Sequence, residues 1–184
     1  MVARRLPKPF TPAELRALFA TSDPVAVAAM RFLHATGMRS AEALSITSTE
    51  AETWPRPGVL RRRTHATRIT GKGGKERVVL LNPKALASAR LALSASAANG
   101  HLFGFSDRQL RRLVARAGLE AGVERAHPHR FRHTYCSEHA EAGTDIAIVA
   151  DMAGHSSVNT TRLYYESSVR ARSVAERRRR RFTH

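Results

Sequence analysis

The chain has little of what would staple it, anchor it or load it with metal. It carries one cysteine, Cys136, so no intramolecular disulfide can form, which fits a reducing compartment. The apolar neighbours of Cys136 mark it as a small buried hydrophobe. No stretch approaches the roughly 18 apolar residues of a membrane span, and the N-terminal MVARRLPKPF lacks the apolar centre of a signal peptide. The expectation is a cytoplasmic protein associated with the nucleoid. Acidic residues are scarce as well, with 15 Asp and Glu against 31 Lys and Arg. That shortage argues against a metal site at His127, His129, His133 and His139, because hard cations need carboxylates and a zinc site needs a closed donor set.

What is present is positive charge, +16 over 184 residues. A balance of that sign concentrates polyanions at the surface, so nucleic acid is the leading partner class, with a ribosome-bound or merely soluble basic protein as the competing reading of charge alone. The length suits one domain. Residues 1–10 are basic, carry two prolines and show no periodicity, so they read as a linker or arm.

Thr11-Pro-Ala-Glu is a capping box with proline at the first helical position, predicting a helix to about Thr21. An alanine-rich helix follows to Thr36, Gly37 breaks it, and Ser40 to Ile46 reads as a short helix beginning at Arg39. From Glu52 to Leu81 the β-branched and arginine-rich runs, punctuated by prolines and glycines, predict a small antiparallel sheet. Its clearest element is a hairpin of Thr67–Thr70 and Arg77–Leu81 with Lys72 in the turn. After Asn82-Pro83 the pattern is helical. A second capping box at Ser106 to Gln109 precedes a basic helix, Asp107–Ala117. Pro128 opens a helix running to Ala142, Gly143 stops it and Thr144 begins the next. The tail, Val169–Arg181, is helix-prone and ends in consecutive arginines. The fold class is therefore mainly α with a small antiparallel β-sheet.

Two strings carry the chemistry, TGMRSAEAL at Thr36–Leu44 and HPHRFRHTYC…AGHSSVNTTRLYY at His127–Tyr165. The second spaces His129 and Arg132 as His-x-x-Arg, then gives Gly-His at His155, with Tyr164 nine residues later. Guanidinium groups suit a phosphate because they are planar, always charged and bidentate. Arg39 and Arg132 could do for a phosphate what a divalent metal does elsewhere. His129 and Arg132, three apart on one helix, share a face, and His155 can donate a further hydrogen bond. A phenol such as Tyr164 can attack phosphorus and leave an ester that conserves the bond energy for resealing without ATP. Tyr165 is chemically identical but points about 100° away on a helix, so only one of the two can serve. Tyr135 is simplest as core, His133 as a residue packed behind the site, and Glu42 as a carboxylate that holds an arginine or caps the short helix. Lys72 and Lys75 could both be ordinary turn lysines.

With Arg39 in the first string, Lys72 in GKGGKERVVLL, and His129, Arg132, His155 and Tyr164 in the second, the chain resembles the catalytic domain of tyrosine recombinases, the phage-integrase and Xer-like family, from about Thr11 to Ser168. The resemblance implies a catalytic domain at 11–168 and a basic tail at 169–184 that docks on a neighbouring subunit. It implies site-specific cleavage and rejoining of double-stranded DNA without metal, nucleotide or other cofactor. In the family the tyrosine joins the 3′ phosphate and a 5′ hydroxyl departs. It places Lys72 as general acid, His129 as an aid to proton removal from Tyr164, and a homotetramer on paired DNA sites, with a monomer possible without DNA. Lys75, Arg108, Arg111, Arg112 and Arg116 are candidate DNA contacts, a solvated helix face being the alternative for the last four.

The chain departs from the family pattern at Ala41, at Ala153, where a larger apolar residue would pack behind His155, and in starting at the linker that usually follows an N-terminal helical domain. A one-sided grip on DNA should cost affinity and selectivity. Other readings of the same residues are a type IB topoisomerase that relaxes DNA as a monomer, a DNA-binding regulator that keeps the fold and never cuts, and a general basic nucleic-acid protein.

Overall fold

A computed structural model of the chain describes residues 8–21, 23–56, 64–70, 74, 76–95, 100–155, 159 and 161–166. Lys72, Lys75 and the tail from 167 onward lie outside the described residues. The helices are α1 (Pro12–Leu18), α2 (Pro24–Thr36), α3 (Ser40–Ser45), α4 (Ser48–Glu52), α5 (Pro83–Ala95), α6 (Asp107–Glu120), α7 (Pro128–Glu141) and α8 (Ile146–Ala153), with β1 (His65–Thr70) and β2 (Glu76–Leu81) between α4 and α5. A further helical segment covers 161–166. The fold is thus mainly α with a small antiparallel sheet.

The centre is α2, which packs against α5, α6 and α7. Its run of alanines lets neighbouring helices approach closely, and nine of its thirteen residues are buried. The few aromatic rings are gathered there: Phe32 stacks on Trp54 at 6.2 Å and meets Phe103 edge-on at 5.3 Å, while Phe10 lies 4.7 Å from Phe131. A smaller apolar cluster of Tyr135, Cys136, Ala140, Val149, Ala153 and Tyr164 forms between α7, α8 and the 161–166 segment. Cys136 and Ala153 are fully buried in it.

Local chemistry sets the boundaries. The capping boxes at Thr11 and Ser106 form as the sequence predicts, though α1 stops at Leu18 and α6 runs on to Glu120. The start of the last assigned helix shifts, because Asp145 rather than Thr144 caps α8 by accepting the Ala147 N–H. The expectation of β structure from Glu52 is corrected: Thr47 caps α4 through the Glu50 N–H, and Glu52 is helical. The hairpin begins slightly earlier than expected on each strand, with Thr67 paired to Val79 and Ile69 to Arg77. Thr67, Ile69, Val79 and Leu81 are buried. Alternation puts Arg77 on that same inward side.

Gly37 connects the core to the candidate site. It closes α2 at φ 64°, and a Cβ there would lie 2.3 Å from the Tyr135 ring. Gly37→Ala therefore combines left-handed strain with a clash, and should lower unfolding free energy by about 2 kcal/mol or more. Urea denaturation checks it, and the near-ultraviolet circular dichroism should change as Tyr135 is displaced.

Candidate active site

Two short turns and a helical segment bring the site together. The first follows Gly37, whose carbonyl accepts a 2.9 Å hydrogen bond from Nη1 of the fully buried Arg132 on α7. Two residues later Arg39 caps α3: its N–H donates to Glu42 Oε2 at 2.9 Å and its Nη1 to Glu42 Oε1 at 2.8 Å. Arg39 Nη2 then reaches the carbonyl of Gly154 at 2.6 Å, which ties α3 to the end of α8.

The second turn is that end. Gly154 takes φ 66°, and the His155 N–H closes the helix onto the Ala150 carbonyl at 2.9 Å. Glycine is needed because a Cβ would sit 2.6 Å from Nε of Arg77. Arg77 arrives from β2 and donates to the Met152 carbonyl at 2.7 Å and to Glu42 Oε2 at 2.8 Å. Its Nε is buried with no partner among the described residues. Glu42, 3% exposed, is thus clasped by two guanidiniums. Burial alone would raise its carboxyl, but the hydrogen bonds from Arg77 and Arg39 outweigh that and hold it below the ordinary carboxylate range.

The third element is the 161–166 segment. Tyr165 turns its hydroxyl to the Thr144 carbonyl, away from the arginines. Tyr164, only 3% exposed, directs its hydroxyl to Nδ1 of His133. Its ring runs parallel to that of His155, 6.3 Å away. His155 Nδ1 is 2.7 Å from the buried hydroxyl of Thr161. With Thr161 donating, the ring proton sits on Nε2, the tautomer that can donate to a ligand.

The site is short of negative charge. Among the described residues three guanidiniums, of Arg39, Arg77 and Arg132, stand against the single carboxylate of Glu42, an arrangement that an anionic group would complete. Burial, reinforced by Arg39, brings Arg132 down to about 10, so it stays cationic at neutral pH. Burial and then the guanidiniums of Arg132 and Arg39 push His155 down to about 4. Burial raises the Tyr164 phenol above its usual range. Among the described residues no group of three His, Cys, Asp or Glu is placed to hold a metal ion.

Residues 8–170 match the phage integrase family. The chain belongs to that family. Tyrosine recombinase XerD of Corynebacterium glutamicum is 33% identical over 74% of this chain and 46% of its own length. A TnP I resolvase of Bacillus thuringiensis is 35% identical over 70% and 45%. XerD of Mycobacterium tuberculosis is 29% identical over 92% and 60%. The chain therefore spans about half the length of the curated relatives it matches. Two solved structures share its fold. The XerH site-specific recombinase bound to a palindromic difH substrate, in a post-cleavage complex, has a TM-score of 0.72 at 24% identity, over 94% of this chain and 53% of that one. The catalytic domain of bacteriophage HP1 integrase has a TM-score of 0.60 at 21% identity, over 86% of each.

Of the residues singled out in the sequence, the structure brings together Arg39, His129, Arg132, His155 and Tyr164, here in a phage integrase fold. The imidazole hydrogen-bonded to the Tyr164 hydroxyl is that of His133, against which His129 packs edge-on. His133 is buried behind the site as expected, and what was missed is its contact with the phenol itself; its spacing of one helical turn from His129 was the available signal. Arg77 was missed as well, and the inward parity of an arginine on β2 could have found it. Tyr135 is core, as expected. The neighbouring Arg130 belongs elsewhere, buried against Glu14 at 2.8 Å and the carbonyls of Lys8 and Glu124.

Glu42→Gln leaves both guanidiniums without their counter-charge and should destabilise the protein by about 3 kcal/mol at pH 7. Because the folded carboxyl titrates below its unfolded value, its contribution is complete above about pH 4.5. It is lost as pH falls through the depressed folded value, so the gap between parent and variant should narrow in acid. Urea titrations at several pH values measure it.

Proposed function

We propose that the chain is a site-specific DNA strand transferase that cleaves and rejoins DNA through a phosphotyrosyl ester on Tyr164, without metal or nucleotide. The observation that carries this reading is a buried phenol placed among neutral imidazoles beside three guanidiniums and one carboxylate. Such a site suits a phosphodiester, whose non-bridging oxygens Arg39 and Arg132 would hold while His155 Nε2 donates to one of them. Family membership supports it, as does the XerH neighbour described as bound to its DNA substrate after cleavage.

Tyr164 attacks the 3′ phosphate, and the 5′ oxygen leaves with a proton from Lys72, proposed as the general acid. His129, exposed at the edge of the site, lines the approach to the phosphate. The reaction returns along the same path when another 5′ hydroxyl attacks the ester. We assign this chemistry to a catalytic domain at 11–168, with 1–10 as a basic arm whose last residue, Phe10, is anchored in the core against Phe131, and with 169–184 as a tail that docks on a neighbouring subunit. The working assembly is a homotetramer on two duplex sites, and the location is with DNA in the cytoplasm.

DNA contacts extend along α6. Ser40 donates to Asp107 at 2.8 Å, which fixes the start of α6 beside the turn that carries Arg39. On its exposed side Arg111 pairs with Asp107 at 2.7 Å and Arg116 with Glu120 at 2.8 Å. Arg108 and Arg112, one turn apart, have no such pairing among the described residues and are the better phosphate ligands; Lys75 is proposed to join them.

Two measurements test the reading. With nicked duplexes taken from DNA flanking the chain's own coding sequence, in EDTA, an SDS-stable adduct should form, survive Tyr165→Phe and vanish in Tyr164→Phe. Retention in Tyr164→Phe would overturn the assignment of the nucleophile. In binding assays, Arg108→Ala and Arg112→Ala should each flatten the slope of log affinity against log salt by about 1. Arg111→Ala and Arg116→Ala should flatten it less, because each arginine already shares its charge with a carboxylate.

A further inference from the structure

Strand transfer through Tyr164 requires that its phenol lose a proton as it attacks, and burial has made that proton harder to remove. An imidazole is hydrogen-bonded to it, that of His133, whose Nδ1 meets the Tyr164 hydroxyl and whose ring centre lies 5.6 Å from the tyrosine ring. The two other imidazoles of the site are engaged differently. His155 turns Nδ1 to Thr161, and its ring stacks beside the phenol ring. His129 meets His133 edge-on at 4.7 Å.

We propose that His133 is the proton acceptor of the reaction. Resting on the strand-transfer reading, the step is as follows. The O–H bond of Tyr164 breaks and an N–H bond forms on His133 Nδ1. The phenolic oxygen bonds to phosphorus as the bond from phosphorus to the 5′ oxygen breaks, and that oxygen takes its proton from the general acid. On resealing, the imidazolium returns its proton to the departing phenolic oxygen.

The surroundings suit that role. His133 is 6% exposed and packed on α7 between the 161–166 segment and the arginine cluster. Burial first, and then the nearby His129, His127, Arg132 and His155, push its imidazole down to about 4. At neutral pH it therefore holds a free lone pair and is ready to accept. A base that weak would be a poor match for a buried phenol without substrate. A phosphate bound at Arg132 works against this, because its charge offsets the guanidinium that adds to the effect of burial on His133 and so raises its basicity once DNA is present. The proton then leaves the phenol when there is a phosphorus atom for the oxygen to attack.

The test compares the parent with His133→Asn, which keeps an acceptor near the Nδ1 position without a basic nitrogen, and His133→Phe, which keeps only the bulk. Each is prepared with tyrosine or 3-fluorotyrosine, a more acidic phenol, at position 164. Single-turnover adduct formation is followed on the nicked duplexes described above. DNA affinity should not change. His133→Asn and His133→Phe should form the adduct about 100-fold more slowly or worse. Their rates should rise with pH between 7 and 9 where the parent is flat, and fluorotyrosine should recover about ten-fold or more in the variants while altering the parent little. A His133→Asn rate within about three-fold of the parent would sink the proposal. So would a loss that neither pH nor fluorotyrosine relieves, since that marks a purely structural defect. An inert parent would withdraw the strand-transfer reading and this inference with it, whereas an active parent with an equally active His133→Asn removes this inference alone.

Discussion

Glu42 lies between the guanidiniums of Arg39 and Arg77 at 2.8 Å from each, and the geometry of the candidate site depends on that clasp. The two arginines come from a helix cap and from a β-strand, and each also reaches a carbonyl at the end of α8. One carboxylate therefore fixes α3, β2 and α8 against one another. Without it, like charges would face each other in a half-buried space, where repulsion is poorly screened. With it, the local balance remains positive and an anion can enter without displacing the acid that holds the cations in place.

The same excess of positive charge governs the other groups. Burial first, and that excess after it, keep His133 and His155 neutral, so the site's imidazoles offer lone pairs and single N–H donors rather than further cations. Burial keeps the Tyr164 phenol protonated and enclosed in the small cluster between α7 and α8. In the absence of DNA the nucleophile is thus chemically quiet. Binding of a phosphate would alter the balance at every one of these groups at once, because all of them feel the same few guanidiniums.

Much of this was legible in the amino-acid order where the determinant is local. Thr11 and Ser106 announce helix starts because hydroxyl, amide and carboxamide lie within a few bonds of each other. Gly37 and Gly154 mark left-handed helix ends for the same reason. The α4 helix was hidden because its cap, Thr47, stands among residues that also suit a strand. The roles of Arg77 and His133 were hidden for a different reason: each depends on a partner far away in the chain, Glu42 for Arg77 and Tyr164 for His133. Four arginines on α6 look alike in sequence, and only carboxylates placed one turn away separate Arg111 and Arg116 from Arg108 and Arg112.

The sequence by itself determined the helical class, the basic character and the set of reactive side chains, since composition, periodicity and capping act over a few residues. Only the tertiary structure decided what holds those side chains: that Arg132 meets the Gly37 carbonyl, that Arg130 pairs with Glu14, that Tyr165 turns to the Thr144 carbonyl, and which histidine touches the phenol. Those contacts are hydrogen bonds between groups 21 to 116 positions apart. Such bonds exist only once packing around α2 has brought the segments together, and no local pattern encodes them.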